Sequence, residues 1–361
     1  MIREIGVKNF KCFEELRLPV RQVNILTGLN GMGKSTMIQS LLLLRQSCQA
    51  DGAMKGLHLD GDYVCLGNGQ DVLYEKAREE KLGAEVTLDK GTCSYEFQYI
   101  PDSDFLPLIG KQEAEGEEEF FGQQLSYLSA YRIEPRESYR ITNEEMLGRK
   151  DFGRTGEFSL QYLNLYGDSR VENPHIVLQD KAGDSLLNQT RVWMDRISPG
   201  VSPRVLINMS LRASELRYEF IEGMEKTNSY KSMNVGFGIT YVLPIIVAAL
   251  ASKEGDMLIV ENPEAHIHPA GQRMLGELLA RAGAGGVQIF AETHSDHIIN
   301  GIRLAVKHGI ISGEEIALDY FYKDQKYRHD YVRPEILSDG RLDCWPEGFF
   351  DEWDKALYEL I

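Results

Sequence analysis

The segment Gly28–Ser35, which reads GLNGMGKS, has residue types and spacing suited to holding a phosphate chain. It fits the pattern G-x-x-x-x-G-K-[ST] and lies between the predicted strand QVNILTG and the helical pattern STMIQSLLLLRQS. A strand before and a helix after are the context in which this pattern forms a phosphate-binding loop. The glycines let backbone N–H groups face phosphate oxygens, and the helix adds its positive end. We therefore expect Lys34 to reach the β- and γ-phosphates and the Ser35 hydroxyl to hold Mg²⁺.

A second candidate position follows the apolar run MLIV, which ends at the acid Glu261. A fully apolar run is typical of a strand buried in a parallel sheet. Ligands of open α/β folds bind at the carboxyl ends of such strands, and a carboxylate there can hold Mg²⁺ through water. The alternative is a buried strand that merely ends in a solvated acid.

Two further segments could contact an anion. In IFAETHSDH, His294 follows another apolar run, where it could donate to a γ-phosphate or orient an attacking water. Alternatively, His294 only caps the next helix. In NVGFGITY, Gly236 and Gly238 precede a long helical pattern, so this segment could form a second anion site at a helix N-terminus. Glycine before a helix is common, and the segment has little weight alone.

Other polar residues have more than one interpretation. Arg132 and Arg136 in AYRIEPR could reach a phosphate or a partner, or form ordinary surface ion pairs. Two groups could suggest a metal site, although a phosphate site already accounts for His294. The groups are Glu264 with His266 and His268, and His294 with Asp296 and His297.

Composition limits the class of protein. The chain has 361 residues, of which 43% are hydrophobic, so it can bury a large core. A net charge of −16 argues against a protein that binds nucleic acid over its whole surface, but it is compatible with a local basic groove. The five scattered cysteines lack metal-ligand spacing and suit a reduced cytoplasm, which is the expected location. The apolar run YVLPIIVAAL is too short to span a bilayer, so no membrane association is expected.

The order of these motifs resembles the head of ABC-type ATPases, in the branch that contains RecF, SMC proteins and OLD (overcoming lysogenization defect) nucleases. The strand pattern IREIGVKNFKCF precedes the phosphate loop, and the glycine-rich helix start, the acid and the histidine follow in that order. ENPEAHIHP is similar to a segment of OLD-type ATPases. NVGFGITYVLP, ETHSDHIINGIRLAV and WPEGFF resemble small stand-alone ATPases with an uncharacterised C-terminal domain, which are common in bacterial anti-phage gene clusters. The resemblance covers residues 1–75 and 230–361.

This resemblance implies an α/β fold, namely an ABC-ATPase head of the P-loop NTPase class. The head is expected to have a mixed central sheet, an N-terminal antiparallel β portion and a central inserted segment. It would span residues 1–318, with an N-lobe at 1–75, a variable insert at 76–230 and a C-lobe at 231–318. Residues 319–361 would form a small C-terminal module packed on the head.

The resemblance also implies roles for individual residues, with ATP and Mg²⁺ as cofactors. The residues that match the Walker A segment are Gly28, Asn30, Gly31, Gly33, Lys34, Ser35 and Thr36. Glu261 matches the Walker B acid, which makes Ser35 and Glu261 the implied Mg²⁺ ligands, and His294 matches the switch histidine. The candidates for the signature, which contacts the γ-phosphate held by a second subunit, are Asn234, Gly236 and Gly238. Gln70 is the candidate Q-loop glutamine, and a homodimer that encloses two nucleotides is implied.

The chain departs from the family pattern in several places. The signature lacks the usual Ser-Gly-Gly order, and no coiled-coil arm splits the head. Nothing after residue 300 resembles the acidic nuclease module of OLD proteins, so any nuclease is expected on another chain. Asn262 stands where a catalytic glutamate is usual, and an amide can orient a water but cannot take its proton. Glu264 and Glu292 are carboxylates that could stand in for it.

Three functions follow from these residues. The favoured one is an ATP-gated dimeric switch or sensor that controls a partner effector encoded nearby, in anti-phage defence. The second is a RecF-like DNA-binding ATPase in repair or recombination, which the net charge does not favour. The third is a scaffold that binds a nucleotide without hydrolysing it.

The order Glu-Asn-Pro-Glu at residues 261–264 predicts slow ATP hydrolysis. Loss of general-base help typically costs about 10²–10⁴ in rate, so we expect turnover well below the roughly 10 per second typical of enzymes. Steady-state phosphate release from the purified protein measures this rate. Turnover of tens per second that survives the substitution Asn262→Ala would contradict the prediction.

Overall fold

The computed structural model describes residues 1–178, 183–223 and 225–360. The chain divides into two compact units. The first comprises Met1–Gln123, Ile316–Glu335 and Asp343–Ile361, and the second comprises Gln124–Glu315 and Ile336–Leu342. No helix among the described residues is both long enough and apolar enough to cross a membrane.

Residues 2–122 are mainly β-structure with one long helix. The elements are β1 (Ile2–Phe10), β2 (Phe13–Pro19), β3 (Val23–Gly28), α1 (Lys34–Asp51), β4 (Gly56–His58), α2 (Gly69–Val72), β5 (Lys81–Leu88), β6 (Gly91–Gln98), β7 (Phe105–Gln112) and α3 (Glu117–Gly122). Strand β3 is buried along its whole length, including its polar residues Asn24 and Thr27. Helix α1 ends at Gly52, which adopts the left-handed conformation that favours glycine.

The middle of the chain contains most of the helices. The elements are β8 (Leu125–Leu128), β9 (Tyr139–Arg140), α4 (Glu144–Gly148), α5 (Ser159–Tyr166), α6 (Leu186–Ile197), β10 (Val201–Asn208), β11 (Ala213–Glu222), β12 (Glu225–Lys226), β13 (Tyr230–Lys231), α7 (Phe237–Ala251), β14 (Met257–Glu261), α8 (Pro269–Ala284), β15 (Gln288–Glu292) and α9 (Asp296–Lys307). Short 3₁₀ helices occupy Ser232–Asn234 and Gly313–Glu315. The last elements are β16 (Ile316–Lys323), β17 (His329–Val332) and α10 (Glu352–Leu360).

The first unit contains two kinds of strand pairing. A six-stranded antiparallel sheet has the order β2-β1-β5-β6-β7-β4. Separately, β3 pairs in parallel with β16, and β16 pairs antiparallel with β17. Gly28 at the end of β3 lies opposite Phe321 of β16, so a strand from the C-terminal part of the chain lies beside the strand that enters the phosphate loop.

The second unit is built around three parallel strands. Strand β14 pairs in parallel with β15 and with β8, and these strands carry core residues such as Leu258, Ile259 and Phe290. A separate antiparallel group joins β11 to β9, β10, β12 and β13. Parallel strands bring their carboxyl ends to one edge, so the residues after β8, β14 and β15 lie together in this unit.

The observed units differ from the boundaries predicted from the sequence. The predicted insert, 76–230, is divided between the two units at Gln123, because β5–β7 pair onward from β1 while β8 pairs with β14. The predicted boundary between 318 and 319 falls inside β16, which pairs with β3. The partners of these strands are far away in the chain, and strand periodicity alone does not identify them.

We expect the addition of one methyl group at Gly28 to destabilise the fold strongly. Its φ is 136°, and a Cβ there would lie 2.3 Å from the Phe321 carbonyl oxygen of the paired strand. We expect Gly28→Ala to lower the free energy of unfolding by about 3 kcal/mol or more, because backbone strain adds to the clash. Urea unfolding followed by circular dichroism measures this change.

Gly52→Ala is the matched control for Gly28→Ala. Gly52 also has a positive φ, 68°, but nothing lies within 4 Å of the position that its Cβ would occupy. We expect Gly52→Ala to lower the free energy of unfolding by only about 1 kcal/mol, because alanine is disfavoured in the left-handed conformation. Equal losses for the two variants would contradict the proposed role of the β3–β16 contact.

Candidate nucleotide site

The phosphate-binding loop lies in the first unit, between β3 and α1. Gly33 precedes the helix with φ 104°, and a Cβ there would meet the Phe13 ring at 2.3 Å. No side chain caps the start of α1, and no acid lies in its first turn. The positive helix end can therefore face an anion without competition from a carboxylate of that turn.

Lys34 is 3% exposed, and its ammonium donates to the carbonyls of Gly28 at 3.1 Å and Leu29 at 2.9 Å. The lysine is thus folded onto its own loop, and its predicted contact with the β- and γ-phosphates stays a prediction. The hydroxyl of the buried Thr36 accepts a weak hydrogen bond from Cys12 at 3.7 Å, and Ser35 is half-buried. Asn30 and Gly31 are exposed at the turn of the loop.

In the second unit, the carboxylate of Glu261 is held at the end of β14. The Tyr127 hydroxyl donates to one carboxylate oxygen at 3.0 Å, and the Ala130 N–H donates to the other at 3.1 Å. Burial raises the pKa of Tyr127, and the negative charge of Glu261 raises it further. Tyr127 therefore stays protonated and remains a donor, which fixes the orientation of the predicted Walker B acid.

The buried side chain of Arg132 bonds to the backbone at the same strand end. It is 3% exposed and donates to the carbonyls of Ser129 at 3.1 Å, Glu261 at 2.6 Å and Asn262. Its guanidinium lies 4.3 Å from the centre of the Tyr241 ring, close enough for a cation–π contact. Burial lowers the pKa of Arg132 to about 10, so the side chain is still a cation at neutral pH.

The two arginines of AYRIEPR thus have different environments. A surface role is wrong for Arg132, because its side chain is buried and bonded to backbone carbonyls. Arg136 is exposed and lies 3.8 Å from the carboxylate of Glu134, which is a surface ion pair. The sequence alone does not separate these roles, since both residues follow the short strand β8 within eight positions.

The backbone conformation at residue 262 favours asparagine. Its φ is 44°, in the left-handed region where asparagine is enriched among non-glycine residues. Its N–H donates to the Glu292 carbonyl at 2.8 Å, which ties the turn after β14 to the end of β15. Its side-chain oxygen Oδ1 is buried and has no hydrogen-bond partner within the described ranges.

The two carboxylates that could replace a catalytic glutamate differ in environment. The Glu264 carboxylate accepts from the Thr293 hydroxyl at 2.8 Å and from the His294 N–H at 2.7 Å. Glu264 therefore fixes the turn after β15, with both oxygens engaged. Glu292 is the buried last residue of β15. His294 itself is exposed.

The helix after His294 is capped by its neighbour. The Ser295 hydroxyl accepts from the Ile298 N–H at 3.2 Å, so Ser295 is the N-cap of α9. The alternative that His294 merely caps this helix is therefore wrong. The role of His294 as the switch histidine stays a prediction.

The remaining predicted residues lie in separate places. Asn234 ends a 3₁₀ helix, and Gly236 precedes the first turn of α7. Gly238 packs against backbone, since a Cβ there would lie 2.0 Å from the His266 carbonyl oxygen. Gln70 lies in α2, and its side chain donates to Asp102 at 3.1 Å. The signature and Q-loop roles of these residues stay predictions.

The histidine groups do not support a dedicated metal centre. Across residues 1–178, 183–223 and 225–360, no three or more His, Cys, Asp or Glu side chains form a group that could hold a metal ion. His268 instead caps α8, where its Nδ1 accepts from the Ala270 N–H at 3.3 Å. A hydroxyl and a carboxylate, such as those of Ser35 and Glu261, suit Mg²⁺ when a nucleotide supplies further oxygens, and their joint role stays a prediction.

Comparison with protein families identifies the class. A family described as "AAA domain, putative AbiEii toxin, Type IV TA system" matches residues 102–300, more than half of the chain. The chain belongs to this AAA domain family. An "AAA ATPase domain" family matches residues 1–105, and a "Protein of unknown function (DUF3696)" family matches residues 311–360.

Relatives and solved structures agree with this class. The chain is 19% identical over 371 residues to an OLD nuclease from Thermus scotoductus, across 95% of this chain and 68% of that protein. Its fold is similar to that of an SMC head, solved in complex with the C-terminal winged-helix domain of ScpA. The TM-score is 0.52 and the identity is 10%, and the match covers 93% of this chain and 98% of the SMC head.

A second SMC head, derived from Pyrococcus furiosus and bound to the C-terminal domain of ScpA, has a TM-score of 0.50 and 13% identity over 99% of each chain. The chain is an ABC-type ATPase of the RecF/SMC/OLD branch, and the predicted family and α/β fold class are confirmed.

The sequence analysis does not identify the residues that hold Glu261, the predicted Walker B acid. Tyr127 and Ala130 were not singled out, because β8 spans only four residues and its pairing with β14 is a long-range contact. The available signal was the run LSYLSAYR, in which polar residues follow a short apolar strand as they do after β14 and β15.

Arg132 gives a prediction for this strand end. We expect Arg132→Met to lower the free energy of unfolding by about 3 kcal/mol, because the carbonyls of Ser129, Glu261 and Asn262, which are buried or partly buried, lose the hydrogen bonds that Arg132 donates. Arg136→Met, an equal change at an exposed position, should cost less than about 0.5 kcal/mol. Chemical unfolding of both variants measures the difference. Similar small losses would contradict the bonding of Arg132 to the turn at residue 262.

Proposed function

We propose that this chain binds MgATP through its Walker A segment, hydrolyses it slowly, and acts as a dimeric switch for a partner effector. The observation that carries the proposal is the buried Lys34 ammonium at the base of an uncapped helix in a loop of Walker A sequence. A triphosphate would bring negative charge to a cation that is removed from water, where charge pairing is strong.

A cavity of about 820 Å³ in the first unit can receive the nucleoside. Its lining includes Lys11, Phe13 and His329 together with acids such as Glu14 and Asp324, so it offers aromatic surface and side chains of both charges close to the phosphate loop. The volume lies within the range of roughly 300–1,000 Å³ that is usual for small-molecule sites.

Hydrolysis in this proposal depends on Glu261, His294 and one further carboxylate acting on the same nucleotide. Glu261 would hold Mg²⁺ through water, and His294 would contact the γ-phosphate. Asn262 orients a water but cannot deprotonate it, so turnover is slow. Glu264 or Glu292 would supply the remaining base function, and both Glu264 oxygens accept hydrogen bonds in this structure.

The dimer and the partner rest on family likeness. ATP would be enclosed by two copies, with the segment Asn234–Gly238 of one copy facing the γ-phosphate held by the other. The solved SMC heads are bound to domains of ScpA, which supports a partner protein as the readout of the ATP state. We favour an effector in anti-phage defence over DNA repair, because a net charge of −16 disfavours a DNA-binding surface.

Titration calorimetry with MgATP tests the proposal directly. We expect the wild-type protein to bind MgATP and Lys34→Ala to lose at least about 10-fold in affinity, because a charge-assisted contact to phosphate is removed. Light scattering with and without ATP should detect an ATP-dependent dimer. Absence of MgATP binding by the folded wild-type protein would rule the proposal out.

A further inference from the structure

The segment matched by the family of unknown function contributes a side chain to the phosphate loop. Strand β16 pairs with β3, which ends at Gly28, and β17 pairs with β16 so that His329 lies opposite Lys323. This register carries His329 to the loop, where its Nε2 lies 3.2 Å from the Gly31 carbonyl oxygen. Its ring also stands edge-on to Phe13, with centroids 5.9 Å apart.

The chemistry of this contact defines the state of the imidazole. A carbonyl oxygen can only accept, so Nε2 carries the proton and donates it. Burial lowers the pKa of His329, and the neighbouring Lys323 charge lowers it further. Hydrogen bonds to the backbone at Gly31 and Cys12 act in the opposite direction. A neutral imidazole has one N–H, and the contact with the Gly31 carbonyl requires that proton on Nε2.

The bond to Gly31 determines which way a loop peptide faces. In a trans peptide the C=O of Gly31 and the N–H of Met32 point in opposite directions, and the chain has no cis peptide among the residues described. His329 draws the carbonyl to one side, so the Met32 N–H is held on the other. At Gly31, φ is 75°, in the left-handed region that favours glycine, and nothing lies within 4 Å of the position that a Cβ would occupy.

We propose that His329 is a positioning residue for phosphate binding, which presets the peptide between Gly31 and Met32 so that its N–H can face a triphosphate. This inference rests on the proposed function, since the ligand is the phosphate chain of the same nucleotide. It assigns a role to the C-terminal segment at residues 311–360: β16 supports the loop through Gly28, and β17 orients the loop through His329.

Two substitutions separate the donated hydrogen bond from the packing of the ring. His329→Phe keeps an aromatic ring beside Phe13 but removes the N–H, whereas His329→Gln supplies an amide N–H without the ring. We expect His329→Phe to weaken MgATP binding about 2- to 10-fold, as for loss of one hydrogen bond, and His329→Gln to recover most of the affinity. His308→Phe, at an exposed histidine, is the matched control and should bind like wild type.

Inorganic tripolyphosphate is the second probe, because the proposed contact concerns phosphates and not the base. We expect the ratio of affinities between wild type and His329→Phe to be the same for MgATP and for magnesium tripolyphosphate. Thermal unfolding of each variant checks that the chain remains folded at the temperature of the titration.

The outcomes separate this inference from the proposed function. Equal affinities for wild type and His329→Phe, or equal losses for the Phe and Gln variants, overturn the role of His329 alone. A loss seen with MgATP but absent with tripolyphosphate also overturns it, because His329 would then act on the nucleoside. If wild type binds neither probe, the proposed function fails and this inference fails with it.

Discussion

The buried ammonium of Lys34 is the constraint on which the nucleotide-binding account depends. A charge removed from water must be compensated, and here the loop carbonyls of Gly28 and Leu29 accept from it. The loop can supply these carbonyls because β3 is buried and paired with β16, and because α1 starts immediately at the lysine. In the proposed function, this cation already lies in the loop that would receive the phosphate chain before the nucleotide binds.

A second buried cation organises the end of β14. Arg132 donates to the carbonyls of Glu261 and Asn262, and the segment that carries it also supplies Tyr127 and Ala130 to the Glu261 carboxylate. The Tyr241 ring beneath Arg132 belongs to α7, whose N-terminus carries the signature candidates. The strand end and this helix are thus joined through one guanidinium.

The sequence predicted those parts of the site that are local in the chain. The Walker A segment, the buried strand β14 and the helix after His294 follow from short patterns, because a loop between one strand and one helix needs no distant partner. It did not predict that β16 lies beside β3, that β8 supplies the donors to Glu261, or that Arg132 is buried while Arg136 is exposed. These features depend on pairing between residues more than 100 positions apart, which periodicity does not encode. The positive φ of Asn262 is likewise not predictable from the local sequence, because it depends on the turn that follows β14.

An experimental structure with Mg²⁺ and a non-hydrolysable ATP analogue tests the central claim most directly. The account predicts the Lys34 ammonium within about 3.2 Å of a β- or γ-phosphate oxygen, with Glu261 bonded to a water of the magnesium ion and His294 directed at the same γ-phosphate. An analogue bound elsewhere, or bound to the loop with Glu261 and His294 remote from its phosphates, would contradict it.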